Sequence, residues 1–541
     1  MDVAVQPQTT EKRGLAARIF AAASFVLCAG LLGCFIAYYW LWVFKVNWFG
    51  DSVRLVAGIR SLYTDFRHPL HETLPLPGTK SVIYFPYLIA VAALGKLFHL
   101  DPFCALQYAG LVNLVLFTLA VCFFFRTFSL QPRSLLPPVV FLFVMLFLRT
   151  RSYAWASETS VIMLGIIHNY PSMVGWIAAL ACFAAGERYF RSDRRGLFWL
   201  GFIGLSIWSV FLTHNLSGSW IFGILFVQGL TALHAGRAAA PVRRRVLTLY
   251  AVLFGALLLT GLWPYFSLFH ISRLVHVREG SHFVDHHFSD FFRLYFLFAL
   301  ALGFLWRARR HTFYFWGFVA TLLALLFFRL INLDYGNRYA FFQLLFAQAA
   351  VADVASFGLL AALGQARGEL GRQAMASRPQ RIALGLYFLL VVGLTATAPI
   401  WRDRHIPSVG ELRAMPSAHD EYYARVKIIT RNISTADVVL LNEQHSWYIA
   451  SITGARMVTS RYAFEAPDYK QRVADAKRFL SMDGAESERR EILGRYGVTW
   501  IILSGEEPYL LNQMIALCGP PIAYNNEMIL FKAPKPATPK S

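Results

Sequence analysis

The stretch VNWFGDSVRLVAGIRSLYTDF, residues 46–66, places a carboxylate, Asp51, directly after the first long apolar run of the chain. A carboxylate at such a position can take the proton of an attacking hydroxyl, which is general-base chemistry. Aspartate is also a favoured helix N-cap, and Gly50-Asp51-Ser52 suits the start of a helix. The sequence leaves both roles open for Asp51, and one carboxylate can serve both.

A second stretch with reactive side chains is HFVDHHFSD, residues 282–290. Its imidazoles and carboxylates, among them His282, Asp285 and His286, are ligand types for a divalent cation, but their spacing matches no established metal site. The alternative is a loop that closes over a bound substrate as a lid. We therefore expect no required cofactor and leave a divalent metal at this loop as an open alternative.

The elements that position these residues follow from an apolar composition. Of 541 residues, 57% are hydrophobic and only 15% are charged. No soluble globular protein of this size needs so much apolar surface, so the composition indicates many membrane-spanning helices. Five of the six cysteines lie inside apolar runs, and the cysteine spacing indicates neither a disulfide framework nor a zinc site.

The formal net charge of +20 is concentrated between the apolar runs. Basic loops of this kind fix the orientation of a membrane protein and are expected in the cytoplasm. The charge therefore indicates topology, and nucleic acid is not an expected partner. The basic segments are 12–18, 188–195, 237–245, 307–310 and 367–381.

Twelve apolar runs approach or reach the length of membrane spans. They are 18–44, 81–99, 104–125, 134–149, 171–188, 197–212, 216–235, 246–268, 290–306, 311–331, 339–364 and 382–400. The basic segments put the N-terminus in the cytoplasm and the chain after residue 400 outside, so an odd number of crossings is needed. A further crossing at 155–170 gives about 13 crossings of a bacterial inner membrane. In this arrangement Arg126 and Arg133 lie outside, against the charge rule.

The same arrangement collects polar groups on the outer face. His168, His214 and Asn215 lie there at helix ends, where each can contact a substrate or act as an ordinary helix cap. Glu158 lies in the crossing proposed at 155–170, and a carboxylate among apolar residues is costly enough to suggest a function. Its alternative is an interfacial residue beside Arg151.

After residue 400 the chain changes character. Four stretches are typical of short buried strands, and helical stretches near 417–432, 443–453, 468–480 and 486–496 flank or separate them. The four strand candidates are ADVVLLN (436–442), ARMVTS (455–460), VTWIILS (498–504) and EMILF (527–531). This alternation predicts a periplasmic α/β domain over 401–541 that follows a transmembrane domain over 1–400.

A helix is predicted directly after Asp51. Residues 52–66 place Val53, Val56, Ile59 and Leu62 at helical spacing, with charged residues between them. The pattern predicts an amphipathic helix that lies along the membrane surface, within a first external loop over 45–80.

This order of features resembles a known family. A first span, a carboxylate, an amphipathic surface helix and then Tyr84-Phe85-Pro86-Tyr87 at the next span together resemble the integral-membrane glycosyltransferases of the GT-C fold, which use polyprenyl phosphates. The layout is most similar to lipid A aminoarabinose transferases and protein O-mannosyltransferases. The resemblance implies a GT-C-like polytopic helical protein with an extracytoplasmic C-terminal domain.

The resemblance also implies roles for individual residues. The acid that opens the first external loop is the catalytic base of the family, which assigns that role to Asp51. The turn DYGNRY, residues 334–339, carries an Arg-Tyr pair of the kind that the family has before a late span. The substrate cavity would then include Tyr84 and Tyr339, together with Glu158, His168, His214 and Asn215.

Two departures from the family leave the donor open. Ser52 stands where many members have a second acid. The lysine that aminoarabinose transferases have near the Pro86 region is absent, and Lys80 is the nearest substitute.

The implied reaction is an inverting transfer of a hexosyl or pentosyl group from a polyprenyl-phosphate donor to an acceptor hydroxyl. The leaving phosphate needs cations at the membrane surface, for which Arg338, Lys80 and Arg293 are the candidates. A headgroup-pairing or topological role is the alternative for Arg338. The expected partners are the lipid-linked donor, membrane lipids and an acceptor glycolipid, polysaccharide or protein.

Two other functions remain as alternatives. A transporter or flippase would need substrate groups at mid-membrane and often an internal repeat, and the chain has no evident repeat. An O-antigen ligase or polymerase performs similar chemistry but usually concentrates its function in a long late loop. The sequence does not identify the sugar, the length of the carrier or the acceptor.

Overall fold

The computed structural model describes most of the chain. The described residues are 8–45, 51–69, 71, 73–74, 81–147, 168–191, 195–235, 240–269, 291–310, 312–330, 339–397, 408–415, 417, 426–427, 430–460, 466–505 and 507–534.

Each of the twelve apolar runs contains a helix, so this part of the prediction is confirmed. Among the described residues, seven helices are long and apolar enough to cross a membrane. The chain is therefore a multi-pass membrane protein, and the number of crossings remains a prediction. Up to residue 414 the helices are α1 (Gln8–Lys45), α2 (Asp51–Thr64), α3 (Pro86–Leu97), α4 (Pro102–Phe128), α5 (Leu136–Phe147), α6 (Pro171–Arg191), α7 (Gly196–Thr213), α8 (Asn215–Ala235), α9 (Ala240–Leu259), α10 (Phe292–Arg307), α11 (Thr312–Leu330), α12 (Tyr339–Ala362), α13 (Gly368–Ala376), α14 (Arg378–Ala396) and α15 (Val409–Ala414).

The chain forms two compact units. The bundle unit comprises Met1–Leu41, Leu111–Leu259 and Val277–Glu411. The loop–tail unit comprises Trp42–Gly110, Thr260–His276 and Leu412–Ser541. The first loop, with α2 and α3, thus belongs to the same compact unit as the C-terminal α/β domain.

In the bundle unit, the loop after α4 is tied to the loop after α12. Gln131 Nε2 donates to Arg367 O at 3.0 Å, and Arg367 N donates to Gln131 Oε1 at 3.2 Å. Arg188 Nε donates to Thr127 Oγ1 at 3.2 Å. The loop that follows Thr127 therefore lies at the same end of the bundle as the basic segments 188–195 and 367–381. We call this the basic end.

This position corrects the predicted topology, in which Arg126 and Arg133 lie outside. The predicted arrangement counts the run 81–99 as a crossing. Its helix, α3, has 12 residues and is about 18 Å long, which is shorter than the hydrocarbon core of a bilayer. The helix α5 also has 12 residues, so the crossings in this part of the chain remain a prediction. It packs along α2, where a Cβ at Gly58 would lie within 2.9 Å of Leu88 Cδ2. Arg126 and Arg133 therefore lie at the same end of the bundle unit as the other basic segments.

A buried carboxylate connects three elements at the basic end by hydrogen bonds. Asp353 in α12 is 1% exposed, and its oxygens accept hydrogen bonds from Ser129 Oγ at 2.5 Å, Leu130 N at 3.0 Å and Tyr314 Oη at 3.2 Å. A carboxylate inside a span is costly unless such donors surround it. Asp353 is thus a structural link between α12, α11 and the loop after α4.

The C-terminal domain in the loop–tail unit is a small α/β fold. Its sheet has the strand order β2-β1-β3-β5-β4, in which β2, β1 and β3 are parallel and β5 is antiparallel to both β3 and β4. Its elements are β1 (Val438–Leu440), α16 (Ser446–Thr453), β2 (Arg456–Met457), α17 (Tyr469–Phe479), α18 (Glu486–Tyr496), β3 (Trp500–Ser504), α19 (Leu511–Cys518), β4 (Ala523–Tyr524) and β5 (Met528–Lys532).

Most of these elements were predicted. The four strand candidates correspond to β1, β2, β3 and β5, and three helical stretches correspond to α16, α17 and α18. The stretch 417–432 lies mostly outside the described residues. The sequence did not predict α19 or the two-residue strand β4. The core between the sheet and its helices is apolar, with Phe479, Ile501 and Phe531 fully buried.

The helix α2 is covered on more sides than the amphipathic pattern predicted. The side chain of Arg54 is 7% exposed and its guanidinium lies over the ring of Trp447, 5.9 Å from the centroid. Arg60 Nε donates to Ser451 O at 3.0 Å. The arginine side of α2 therefore packs on α16, because long arginine stems can bury their apolar part while the charged end finds a carbonyl or a ring.

Candidate active site

The helix predicted to begin around Asp51 begins at this residue. Asp51 is the first residue of α2, and of Asp51 the structure describes the backbone alone. The N-terminus of a helix carries a partial positive charge that favours an ionised carboxylate, as a general base requires. The roles of cap and base both remain predictions.

The other end of α2 is fixed by three hydrogen bonds. Lys96 Nζ donates to Tyr63 O at 2.7 Å, Tyr63 Oη donates to Leu100 O at 3.1 Å, and Tyr265 Oη donates to Phe66 O at 2.7 Å. Burial, with the negative charge of Asp101 nearby, raises the pKa of Tyr63 to about 12, so its hydroxyl remains a donor at neutral pH. These bonds and the packing on α16 give α2 a defined position in the loop–tail unit.

Tyr84 lies beside this anchor. Its ring is 1% exposed and contacts the ring of Tyr265, with centroids 6.0 Å apart, and its carbonyl accepts a hydrogen bond from Trp263 Nε1 at 2.9 Å. Tyr84 thus packs the interior of the loop–tail unit, and its predicted role in a substrate cavity remains untested.

In the bundle unit, His214 acts as the N-cap of α8. Ser217 N donates to His214 Nδ1 at 3.3 Å, and Ser217 Oγ lies 2.7 Å from the same nitrogen. A Cβ at Gly175 would lie 2.4 Å from Ser217 Oγ, so the first turn of α6 packs tightly against this cap. Asn215, the first residue of α8, is half-buried in the same turn.

Tyr339 joins the start of α12 to the start of α8. Its hydroxyl lies 2.8 Å from Ser219 Oγ. Because Ser219 Oγ donates its proton to Leu216 O at 2.9 Å, Tyr339 is the donor in this pair. Below it, the rings of Trp220 and Phe342 stack with centroids 4.4 Å apart. The structure therefore brings His214, Asn215 and Tyr339 to the same end of α8, opposite the basic end.

His168 lies just before α6 and is buried. Its carbonyl accepts a hydrogen bond from Asn113 Nδ2 at 2.9 Å, which ties this turn to α4. His168 thus occupies a helix-end position, as predicted.

Arg293 has a structural partner. Its Nη1 donates to Leu394 O at 3.2 Å and Thr397 O at 3.1 Å, at the C-terminal end of α14. Positive charge at a helix C-terminus is stabilising. Arg293 therefore caps α14, and its predicted role as a phosphate ligand remains untested.

Six other predicted site residues lie outside the described residues. They are Lys80, Glu158, His282, Asp285, His286 and Arg338. Within the described ranges, no group of three or more His, Cys, Asp or Glu side chains is placed to hold a metal ion. The metal predicted at 282–290 remains untested.

Sequence reasoning missed the partners that fix these residues. Asn113, Ser217 and Ser219 are polar residues within or beside apolar runs, and this was the signal that could have identified them. Trp263 and Tyr265 follow the run 246–268 closely, and nothing local indicated that they would support α2.

The chain is similar to known proteins in structure, whereas the sequence comparisons found no match. No protein-family model and no curated protein sequence matches this chain. The structure of ArnT from Cupriavidus metallidurans in the apo state is similar, with a TM-score of 0.55 and 14% identity over 95% of this chain and 98% of that one. The structure of the same protein bound to undecaprenyl phosphate gives a TM-score of 0.54 at 14% identity, over 95% and 99% of the two chains.

The protein has a GT-C fold. A third GT-C structure, the oligosaccharyltransferase of Archaeoglobus fulgidus tethered to an acceptor peptide with the NVT sequon, gives a TM-score of 0.50 at 12% identity. That match covers 89% of this chain and 69% of the other. The GT-C fold confirms the predicted class of a polytopic helical membrane protein with a small C-terminal sheet.

Proposed function

We propose that this protein is an inverting glycosyltransferase that moves a sugar from a polyprenyl-phosphate donor to an acceptor hydroxyl at the outer face of the membrane. The observation that carries the proposal is the similarity to ArnT over 95% of this chain and 98% of that one. A match of that extent includes the first loop and the C-terminal domain as well as the helices. The acceptor would be a lipid, a glycan or a protein.

The chemistry that we propose needs one base and one cation. The acceptor hydroxyl attacks the anomeric carbon, Asp51 takes its proton, and the bond from the sugar to the phosphate oxygen breaks. Displacement by a single attack inverts the anomeric centre. The polyprenyl phosphate leaves with additional negative charge, which a nearby cation stabilises.

Arg338 is the first candidate for that cation. It directly precedes Tyr339 in the sequence. Tyr339 in turn is fixed to Ser219 at 2.8 Å. Lys80 and Arg293 are the further candidates for phosphate binding.

The test measures release of polyprenyl phosphate from polyprenyl-phosphate sugars by the purified full-length protein, with a membrane extract as the source of acceptor. This product is common to all such donors, so a small panel of sugars suffices. Asp51→Ser retains an N-cap side chain but removes the base. We expect it to slow release by about 10²- to 10⁴-fold.

Asp65→Asn is the matched control. Asp65 lies just after the other end of α2, and its carboxylate accepts hydrogen bonds from Arg67 N at 2.7 Å and His68 N at 3.1 Å. Its loss should leave the rate of release unchanged. Full activity of Asp51→Ser would refute the base. If the wild type neither cleaves any donor nor retains polyprenyl phosphate in native mass spectrometry, the transporter or flippase becomes the better reading.

A further inference from the structure

A cavity lies at the basic end of the bundle unit. It has a volume of about 280 Å³ and is formed where α6 and α8 end and where α10 gives way to α11. Along α8, the lining residue nearest to His214 is Ile224, ten residues further on, or about 15 Å along the helix. We call it the basic-end cavity. Its lining includes Arg309, Arg310, Gln228, Thr231, Phe313 and Trp316.

The lining has an excess of positive charge. Arg191 Nη2 and Glu187 Oε1 lie 2.7 Å apart and neutralise each other. Arg309 and Arg310 are exposed, and Arg310 also interacts electrostatically with the buried carboxylate of Asp353, so the lining still has more cations than anions. The N-terminus of α11, which begins at Thr312 in the same lining, adds the partial positive charge of a helix start. The cavity therefore attracts an anion.

The backbone at Arg309 is unusual for this residue type. Arg309 N donates to Trp306 O at 3.0 Å and Arg310 N donates to Leu305 O at 2.9 Å, which is the pattern of a Schellman cap at the end of α10. The residue at the left-handed position of such a cap is usually glycine, but here Arg309 occupies it with φ +54°. An arginine in this strained conformation is consistent with a use for its side chain.

The walls of the cavity are apolar below the arginines. Ile224, Val227 and Gly317 line it from α8 and α11, and Trp316 is 44% exposed on the same helix. Tryptophan is enriched where a membrane protein meets the headgroups of the bilayer. A free inorganic anion would use the arginines alone, whereas an anionic amphiphile would use both the cations and the apolar wall.

We propose that the basic-end cavity binds the phosphate headgroup of an anionic membrane lipid. Arg309 and Arg310 would bind the phosphate, and the lipid chains would lie against α8 and α11. Basic pockets between membrane helices bind anionic headgroups in this way. This site is separate from the candidate active site and does not depend on the proposed glycosyltransferase activity.

The experiment titrates the purified full-length protein, in a non-ionic detergent, with dioctanoyl phosphatidylglycerol and measures bound lipid by native mass spectrometry. Zwitterionic dioctanoyl phosphatidylcholine is the reference lipid. The test variant is Arg309→Gly with Arg310→Ala, because glycine is the residue that the cap prefers and the fold is retained. We expect its affinity for phosphatidylglycerol to be about 30-fold lower, at roughly fivefold per basic residue.

The matched control is Arg243→Ala with Arg244→Ala. These two exposed arginines lie near the start of α9, in another of the basic segments, and do not line the cavity. The control loses the same charge and should bind phosphatidylglycerol like the wild type. Equal weakening in both double variants, or equal affinity of the wild type for the two lipids, would overturn the proposal. Displacement of the lipid by inorganic phosphate at equal concentration would assign the cavity to a free anion and overturn the lipid assignment.

Discussion

Replacing Gly454 by alanine is expected to disturb the attachment of α2 to the C-terminal domain. Gly454 ends α16 with φ +73°, and a Cβ at this position would lie 2.9 Å from Arg60 Cδ and 2.9 Å from Thr435 Cγ2. The methyl group would displace the Arg60 side chain, whose Nε donates to Ser451 O at 3.0 Å. This hydrogen bond is one of the contacts that hold the helix beginning at Asp51.

The magnitude follows from two separable effects. A left-handed backbone costs an L-residue about 1–2 kcal/mol relative to glycine. Crowding in a packed site costs about a further 1–3 kcal/mol. Gly497 allows the two to be separated, because it ends α18 with φ +61° and a Cβ there would meet nothing within 4 Å. We therefore expect Gly454→Ala to lower the free energy of unfolding by about 2–5 kcal/mol, and Gly497→Ala by about 1–2 kcal/mol.

The assay compares both variants with the wild type as full-length proteins in detergent. Thermal unfolding is followed by tryptophan fluorescence, since Trp447 and Trp500 are buried in the C-terminal domain. Release of polyprenyl phosphate is then measured below the unfolding transition. Gly454→Ala should lose activity beyond its loss of stability, because the contact that it breaks positions α2, whereas Gly497→Ala should not.

Equal behaviour of the two variants would contradict this reasoning. It would mean that the contact between α16 and Arg60 contributes nothing to the position of α2. A stability difference without an activity difference would instead show that α2 is positioned sufficiently by its other anchors, such as Lys96 and Tyr265.

Two further predictions concern the hydrogen bonds of Asp437 and of Tyr339. Burial raises the pKa of Asp437, but hydrogen bonds from Ser434 N, Ser434 Oγ and Thr499, together with the charge of Lys532, outweigh burial and leave this pKa below its usual value. The ionised carboxylate therefore stabilises the fold above about pH 4, and this contribution is lost as the pH falls through the lowered pKa. The melting temperature of Asp437→Asn should be lower than that of the wild type at pH 7 and should approach it near pH 3. A difference in melting temperature that does not narrow would contradict the assignment. Tyr339→Phe removes the hydroxyl that bonds to Ser219 and should lower the free energy of unfolding by about 0.5–1.5 kcal/mol. If Arg338 binds the phosphate, the same variant should also raise the KM for the lipid-linked sugar. A lower melting temperature with an unchanged KM would show that Tyr339 contributes to packing and not to donor binding.

Local patterns in the sequence determined the elements of this protein. Apolar runs bounded by polar segments gave the helices, because a chain in a bilayer must satisfy its backbone within each segment. A carboxylate after a glycine marked the start of α2, and short β-branched runs marked β1, β2, β3 and β5. The sequence also shows that Asp353 is the one acid in the apolar run 339–364, but it does not show which residues Asp353 contacts.

Tertiary structure alone decided how these elements are used. The run 81–99 has the hydropathy of a span, and only the structure shows that its helix, α3, has 12 residues and packs on α2. The arginine side of α2 looks solvated in the sequence, yet α16, nearly 400 residues further along the chain, covers it. The basic-end cavity brings together residues from 128, 187–191, 224–235 and 309–317. Hydropathy and periodicity depend on neighbours a few residues apart, whereas these contacts depend on which distant surfaces meet, so the sequence pattern carries no direct record of them.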